Sequence, residues 1–306
     1  MRHTTAFGVV LLLGTALASC GGRTATGSQA DSLSVADSGQ TAWSVMKLRT
    51  VSYEDSLQTD SGAYLSQAIK TVWPMPSDRS VLADSVRAWL AQTVAHSCYP
   101  SYEEGDDVAR FSGDVRDGQA LVNFYAKQGM ERMKAEVKES ETEGYVMPGM
   151  NNGLKVECLC QNERYTTMLT SYDVYLGGAH GGYMLSGATF RNADGHVMGW
   201  DLVDMSKKAQ LIDLIYNGLK PYFEVGPDDK IEDMLQLMDD ESTPEDESKQ
   251  LPLPATPPFF TADGVEFIYQ QYEIAPYAAG LPSVVIPYEQ IRELLSADGK
   301  ALLADD

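Results

Sequence analysis

Beyond residue 20, the side chains best suited to chemistry are His96, His180 and His196, Cys98, Cys158 and Cys160. The most unusual local signal is the stretch Tyr172-Asp173-Val174-Tyr175-Leu176-Gly177-Gly178-Ala179-His180-Gly181-Gly182-Tyr183. Its glycines suggest a phosphate cradle, but no lysine follows and the next pattern is a strand, so the field of a helix N-terminus is missing. A metal shared by His180 and His196 is opposed by the strand pattern over 183–191, which would hold the two turns roughly 25–30 Å apart at ~3.3 Å per residue. His96 ends a helical pattern with no visible partner. There is no HExxH and no cysteine/histidine quartet. Leu185-Ser186-Gly187 lacks the glycine that a nucleophile elbow needs two positions before its serine. The 44 Asp and Glu residues could hold a glycosidase pair, but nothing singles one out. The residues therefore form no complete catalytic constellation and nominate no metal or cofactor. The glycine stretch offers a tight turn with positive φ and, compatibly, a recognition loop of exposed amides with one imidazole between Tyr175 and Tyr183.

Cys158 and Cys160 fall at i and i+2 on a strand pattern. They would share a face at roughly 6.5 Å between Cα atoms, too far for comfortable closure. A bridge from Cys98 to either one, or three buried free thiols, are both open readings.

The elements that must position these residues follow from periodicity. Residues 41–53 alternate as an opening strand and residues 60–72 as a second extended piece. Trp73-Pro74-Met75-Pro76 ends regularity. A helix is predicted from 77 to 94 on Leu82, Val86, Leu90 and Val94, and another from 118 to 138, interrupted at Gly129. Residues 139–153 read as a connection. Alternating strands follow at 154–160, 165–175, 183–191 and 196–200, with an Asp194-Gly195 turn before the last. Asp204 caps a third helix to about residue 222, a shorter one covers 231–238, and 239–258 is an acidic, then Pro-rich loop. A hairpin at 259–269, a strand at 283–287 and a helix at 288–295 close the chain. The fold class is α+β: a mainly antiparallel sheet, meander plus C-terminal hairpin, with helices packed on one face.

The first residues set the expected compartment. A short polar start, the apolar run Phe7–Leu17 and Leu17-Ala18-Ser19-Cys20 read as a lipoprotein signal peptide over 1–19, with Cys20 lipidated. Residues 20–40 form a Gly-, Ser- and Asp-rich tether. No later stretch is long and apolar enough for a membrane-spanning helix. Gly21 after the cysteine points to the outer membrane. A net charge of −21 disfavours nucleic acid as a partner and would attract a basic protein.

Three stretches carry a family resemblance: Tyr175-Leu176-Gly177-Gly178-Ala179-His180-Gly181, Thr189-Phe190-Arg191-Asn192-Ala193-Asp194-Gly195 and Asp201-Leu202-Val203. The C-terminal half adds Phe259–Tyr269, Tyr272-Glu273-Ile274-Ala275-Pro276-Tyr277-Ala278-Ala279-Gly280 and Val284–Tyr288. Together they resemble the extracytoplasmic domain of RsiV-type anti-sigma factors and the non-catalytic N-terminal domain of PdaC-type peptidoglycan deacetylases, the DUF3298/DUF4163 type. The resemblance implies an α+β binding module, with lysozyme the known partner of the RsiV branch. It divides the body into an N-terminal portion, 41–150, and an RsiV-like portion, 151–306, readable together as one composite domain. The sequence shows neither a sigma-binding segment nor a deacetylase domain, so neither activity is expected. The expected function is a lipid-anchored envelope binding module for lysozyme, another basic protein or peptidoglycan fragments. Its expected contacts are Gly177, Gly178, His180, Gly181, Tyr183, Tyr272 and Tyr277. The alternatives are an envelope glycan hydrolase and a structural or assembly lipoprotein.

Overall fold

The computed structural model describes residues 45–98, 109–226, 231, 234–235 and 251–303. The expected signal peptide and tether, Cys20, residues 99–108 and nearly all of the helix expected at 231–238 lie outside these residues. Six strands form one sheet in chain order: β1 (Leu48–Gln58), β2 (Tyr64–Pro74), β3 (Gly149–Gln161), β4 (Tyr165–Tyr175), β5 (Gly182–Arg191) and β6 (Val197–Met198). All neighbours are antiparallel except β2 and β3. That parallel pair follows from a long helical crossover, which returns the chain to the end where β2 began.

The crossover is α1 (Val81–Ser97) and α2 (Gly118–Thr142). Both pack on one face of the sheet, where Leu82, Val86, Leu90, Val94, Leu121 and Val122 meet Val51, Ile69, Trp73, Leu154, Val156, Met168 and Phe190. The first helix begins four residues later than its periodicity suggests. Arg87, fully buried, donates to the carbonyls of Met75 and Asp78 at 2.6 and 2.9 Å and to Asp84 at 2.7 Å. These bonds hold 77–80 as a non-helical entry, and Ser80 caps the helix by accepting from the Ala83 amide.

The second helix runs unbroken through Gly129 and four residues beyond its predicted end. Gly129 is there for packing: a Cβ would come within 2.9 Å of the Cys98 carbonyl and the Gln67 side-chain oxygen. The connection read at 139–153 shrinks correspondingly, with β3 already under way at Gly149. Cys158 and Cys160 do not share a face. A bulge at Leu159 pairs Cys158 with Met168 but Cys160 with Thr167, so the extra residue turns them to opposite sides. Cys158 packs under the helices and Cys160 in the other core. All three described cysteines are free thiols.

The C-terminal hairpin joins the last strand in a separate sheet: β7 (Phe259–Phe260), β8 (Gly264–Ile268) and β9 (Ser283–Pro287). It sits on the face of the large sheet opposite α1 and α2. Phe259 lies over Gly187, where a Cβ would collide with its ring. The Phe260 amide donates to the Thr189 hydroxyl at 2.9 Å. Burying each of these phenylalanines is worth ~1.5–3 kcal/mol. Helix α3 (Lys208–Leu219) follows a short 3₁₀ turn capped by Asp204. It covers the small sheet through Leu211, Ile215 and Leu219, which meet Val265, Phe267 and Ile286. The final helix divides into α4 (Tyr288–Ile291) and a 3₁₀ turn, and α5 (Ala297–Ala301), absent from the sequence reading, follows. The architecture is α+β, with the mainly antiparallel sheet, meander and hairpin that the periodicities imply.

Candidate functional site

The loop between β4 and β5 and the irregular segment after β8 are about ninety residues apart in sequence and meet at one end of the large sheet. In the β4–β5 loop Gly177 adopts φ +80°, and Gly181 sits where a Cβ would come within 2.9 Å of the Val174 carbonyl. These two glycines are required by the turn. Gly178 has open space at its Cβ position and is exposed, so the fold alone does not explain it. Tyr175 donates to the Gly178 carbonyl at 2.9 Å and stiffens the loop.

His180 is the hinge of the site. Its Nδ1 lies 2.9 Å from the Gly181 carbonyl, which can only accept, so Nδ1 carries the proton. In the tautomer with only Nδ1 protonated, Nε2 accepts from the Tyr272 hydroxyl at 3.0 Å. The imidazole stacks at a tilt on Tyr277, with ring centroids 4.3 Å apart, and Tyr272 lies 5.7 Å from Tyr277. Tyr277 donates to the Gly181 carbonyl at 3.1 Å. Tyr272 has φ +67°, a left-handed backbone that costs a non-glycine residue about 1–2 kcal/mol. It is nonetheless 55% exposed, beside Tyr183 at 41% and Met184 at 48%. Such strain with the side chain turned to solvent is characteristic of functional surfaces.

Sequence reasoning missed Gln270 and Gln271. Among the described residues the upper half of β5 has no strand beyond it, since β6 pairs only with Thr189 and Phe190. Gln271 accepts the Tyr183 amide at 2.9 Å. Gln270 accepts the Leu185 amide at 3.3 Å and donates to the Leu185 carbonyl at 2.9 Å. A side-chain amide thus imitates a neighbouring strand and blunts an open edge. Adjacent glutamines before the Tyr-Glu-Ile segment are the only trace of this in the sequence.

All seven predicted contact residues lie on these two segments or at the start of β5. His180 contacts Gly181, Tyr272 and Tyr277, Tyr277 also bonds Gly181, and Gly178 is tied to Tyr175 within the loop. His196 lies at the far end of β5, bonded to Asp201 at 2.7 Å. Burial raises the Asp201 pKa, but hydrogen bonds from His196 and the Gly199 amide outweigh it and leave it below the ordinary value. Glu266, on β8, is the carboxyl that burial alone pushes up. Among the described residues no group of three or more His, Cys, Asp or Glu side chains is placed to hold a metal, and no helix is long and apolar enough to cross a membrane.

The fold defines a class of two-sheet α+β proteins already seen in solved structures. A member of the DUF3298 family from Bacteroides fragilis superposes with a TM-score of 0.61 at 19% identity, covering 83% of this chain and 94% of its own. A DUF3298 family protein from Pseudomonas aeruginosa gives 0.54 at 13% identity, covering 86% and 99%. Residues 202–289 match the family model described as "Protein of unknown function (DUF3298)", and the chain carries a DUF3298 domain over that span. Tyr272 and Tyr277 fall within it, whereas His180 lies before it. A comparison with curated proteins finds no match.

Proposed function

We propose that the chain is a binding module of the cell envelope, held to the outer membrane through a lipidated Cys20, whose recognition surface is the His180–Tyr272–Tyr277 cluster with Gly178 and Tyr183. The observation that carries this reading is that two loops distant in sequence converge to hold exposed aromatic rings in fixed positions, one on a strained backbone. Rigid tyrosines of this kind supply contact area at low entropic cost and dominate protein interfaces. A net charge of −21 would steer a basic partner toward the chain. The RsiV-type resemblance supports lysozyme as that partner, and a peptidoglycan fragment is the competing ligand. The PdaC-type resemblance is taken as one of fold, without deacetylation.

The test is titration of the chain with lysozyme and, separately, with soluble muropeptides, at low and physiological salt. Tyr272→Ala and His180→Ala are expected to weaken lysozyme binding tenfold or more, about 1.4 kcal/mol, with unchanged unfolding cooperativity. Binding of muropeptides alone would replace the partner but keep the surface. Binding of neither ligand would refute the module.

A further inference from the structure

The face of the large sheet that receives the small sheet at Tyr165, Gly187 and Thr189 is open over β1–β3 among the described residues. The strand register places its outward side chains in rows. Ser52, Lys70, Lys155 and Ser171 are successive partners across β1 to β4. One step along the strands, Glu54, Ala68, Gly153 and Asp173 form the next row. The two rows line a hollow of about 480 Å³ with Ala68 as its exposed floor, within the ~300–1,000 Å³ range of small-ligand sites. The Asp173 carboxylate lies directly over Gly153, where a Cβ would meet it. Asn151 holds that carboxylate by donating to it at 3.1 Å.

The charges are unusual in their placement. Lys70 and Lys155 are direct neighbours, and like charges facing one another across a sheet are destabilising. Lys155 reaches Glu157 at 2.8 Å. Lys70 has no ion-pair partner among the described residues, although the chain has 44 acidic residues for 23 basic ones. Glu54, on the other side of the hollow, is also without an ion-pair partner among the described residues. An exposed cation and anion that flank a small-residue floor without closing on each other are positioned for a ligand that carries an anion at one end and donors at the other.

We propose that this hollow binds a carboxylate-bearing sugar. The carboxylate would sit between Lys70 and Lys155, the ring over Ala68, and the hydroxyls would donate to Glu54 and to the Asp173 carboxylate that covers Gly153. This site goes beyond the recognition surface proposed above. Asp173 is the cross-strand partner of Tyr183, so the two surfaces adjoin, but Lys70 and Ala68 lie two strands away on β2, and Lys70→Met and Ala68→Leu test the hollow separately from that surface.

The experiment titrates the full chain with trigalacturonate and with neutral maltotriose, followed by calorimetry. Saturable binding of trigalacturonate but not maltotriose is expected. Lys70→Met should weaken it at least tenfold, and so should Ala68→Leu, which keeps both lysines and fills the floor. Lys134→Met, on α2 beside Glu131, removes the same charge elsewhere and should leave binding unchanged. Lys70→Met should also melt at a slightly higher temperature, because it relieves the like-charge pair. No binding of trigalacturonate, equal binding of maltotriose, or an equal loss in Lys134→Met would overturn the proposal.

Discussion

The glycines of the β4–β5 loop can be separated by alanine scanning into those the turn needs and the one it does not. Gly177→Ala places a Cβ on a backbone at φ +80° and should cost about 1–2 kcal/mol. Gly181→Ala brings carbon to 2.9 Å from the Val174 carbonyl oxygen, against ~3.3–3.6 Å even for a favourable carbon–oxygen contact. The last rung of β4 and β5, Val174 opposite Gly182, must then open by about half an ångström, and overpacking of this kind costs about 1–3 kcal/mol. Gly178→Ala meets nothing within 4 Å and its φ lies outside the left-handed region. It should stabilise the chain by about 0.4–1 kcal/mol by restricting the unfolded state. Urea denaturation of the three variants, with slopes checked against the parent, measures all three. If Gly178→Ala destabilises as much as Gly177→Ala, the division is wrong and the loop needs all its glycines for folding. If it stabilises while lysozyme binding falls, Gly178 is retained for contact at the expense of stability.

Two further outcomes follow from the same structure. A hydrogen bond and ion pair from Arg191, then the His196 amide, lower the Asp194 pKa to about 2. A depressed carboxyl stabilises fully above its unfolded value and loses that contribution as pH falls through its folded one. Parent stability should therefore decline between about pH 4 and pH 2 more steeply than that of Asp194→Asn, and parallel urea midpoints for the two would refute the assignment. Gln270→Leu removes both bonds to Leu185 and should cost about 1–2 kcal/mol. It also bares the β5 edge, so concentration-dependent dimerisation by analytical ultracentrifugation is expected; a strictly monomeric, equally stable variant would show that the edge needs no cover.

Local pattern carried much of the fold. Strands β4 and β9 begin and end where their sequence signals place them: β4 lies between two turn signals, and β9 is a short β-branched run bounded by Pro282 and Pro287. Helices α1 and α2 were legible from Leu82–Val94 and Val122–Val137, but their ends were not. The entry to α1 is decided by Arg87, whose carbonyl partners lie on the preceding corner, and α2 passes through Gly129 because the tail of α1 needs the space. The bulge at Leu159 sent Cys158 and Cys160 into different cores, a choice that depends on the β4 partner and not on spacing. The candidate site divides in the same way. The sequence alone set the chain's charge, the strand–loop–strand around His180 and the tyrosines of the 272–280 segment. Only the tertiary structure decided that His180 accepts from Tyr272, that Gln270 completes the β5 edge and that Lys70 stands beside Lys155. Each of these contacts joins residues far apart in the chain, and such pairings are fixed by how strands register and sheets stack.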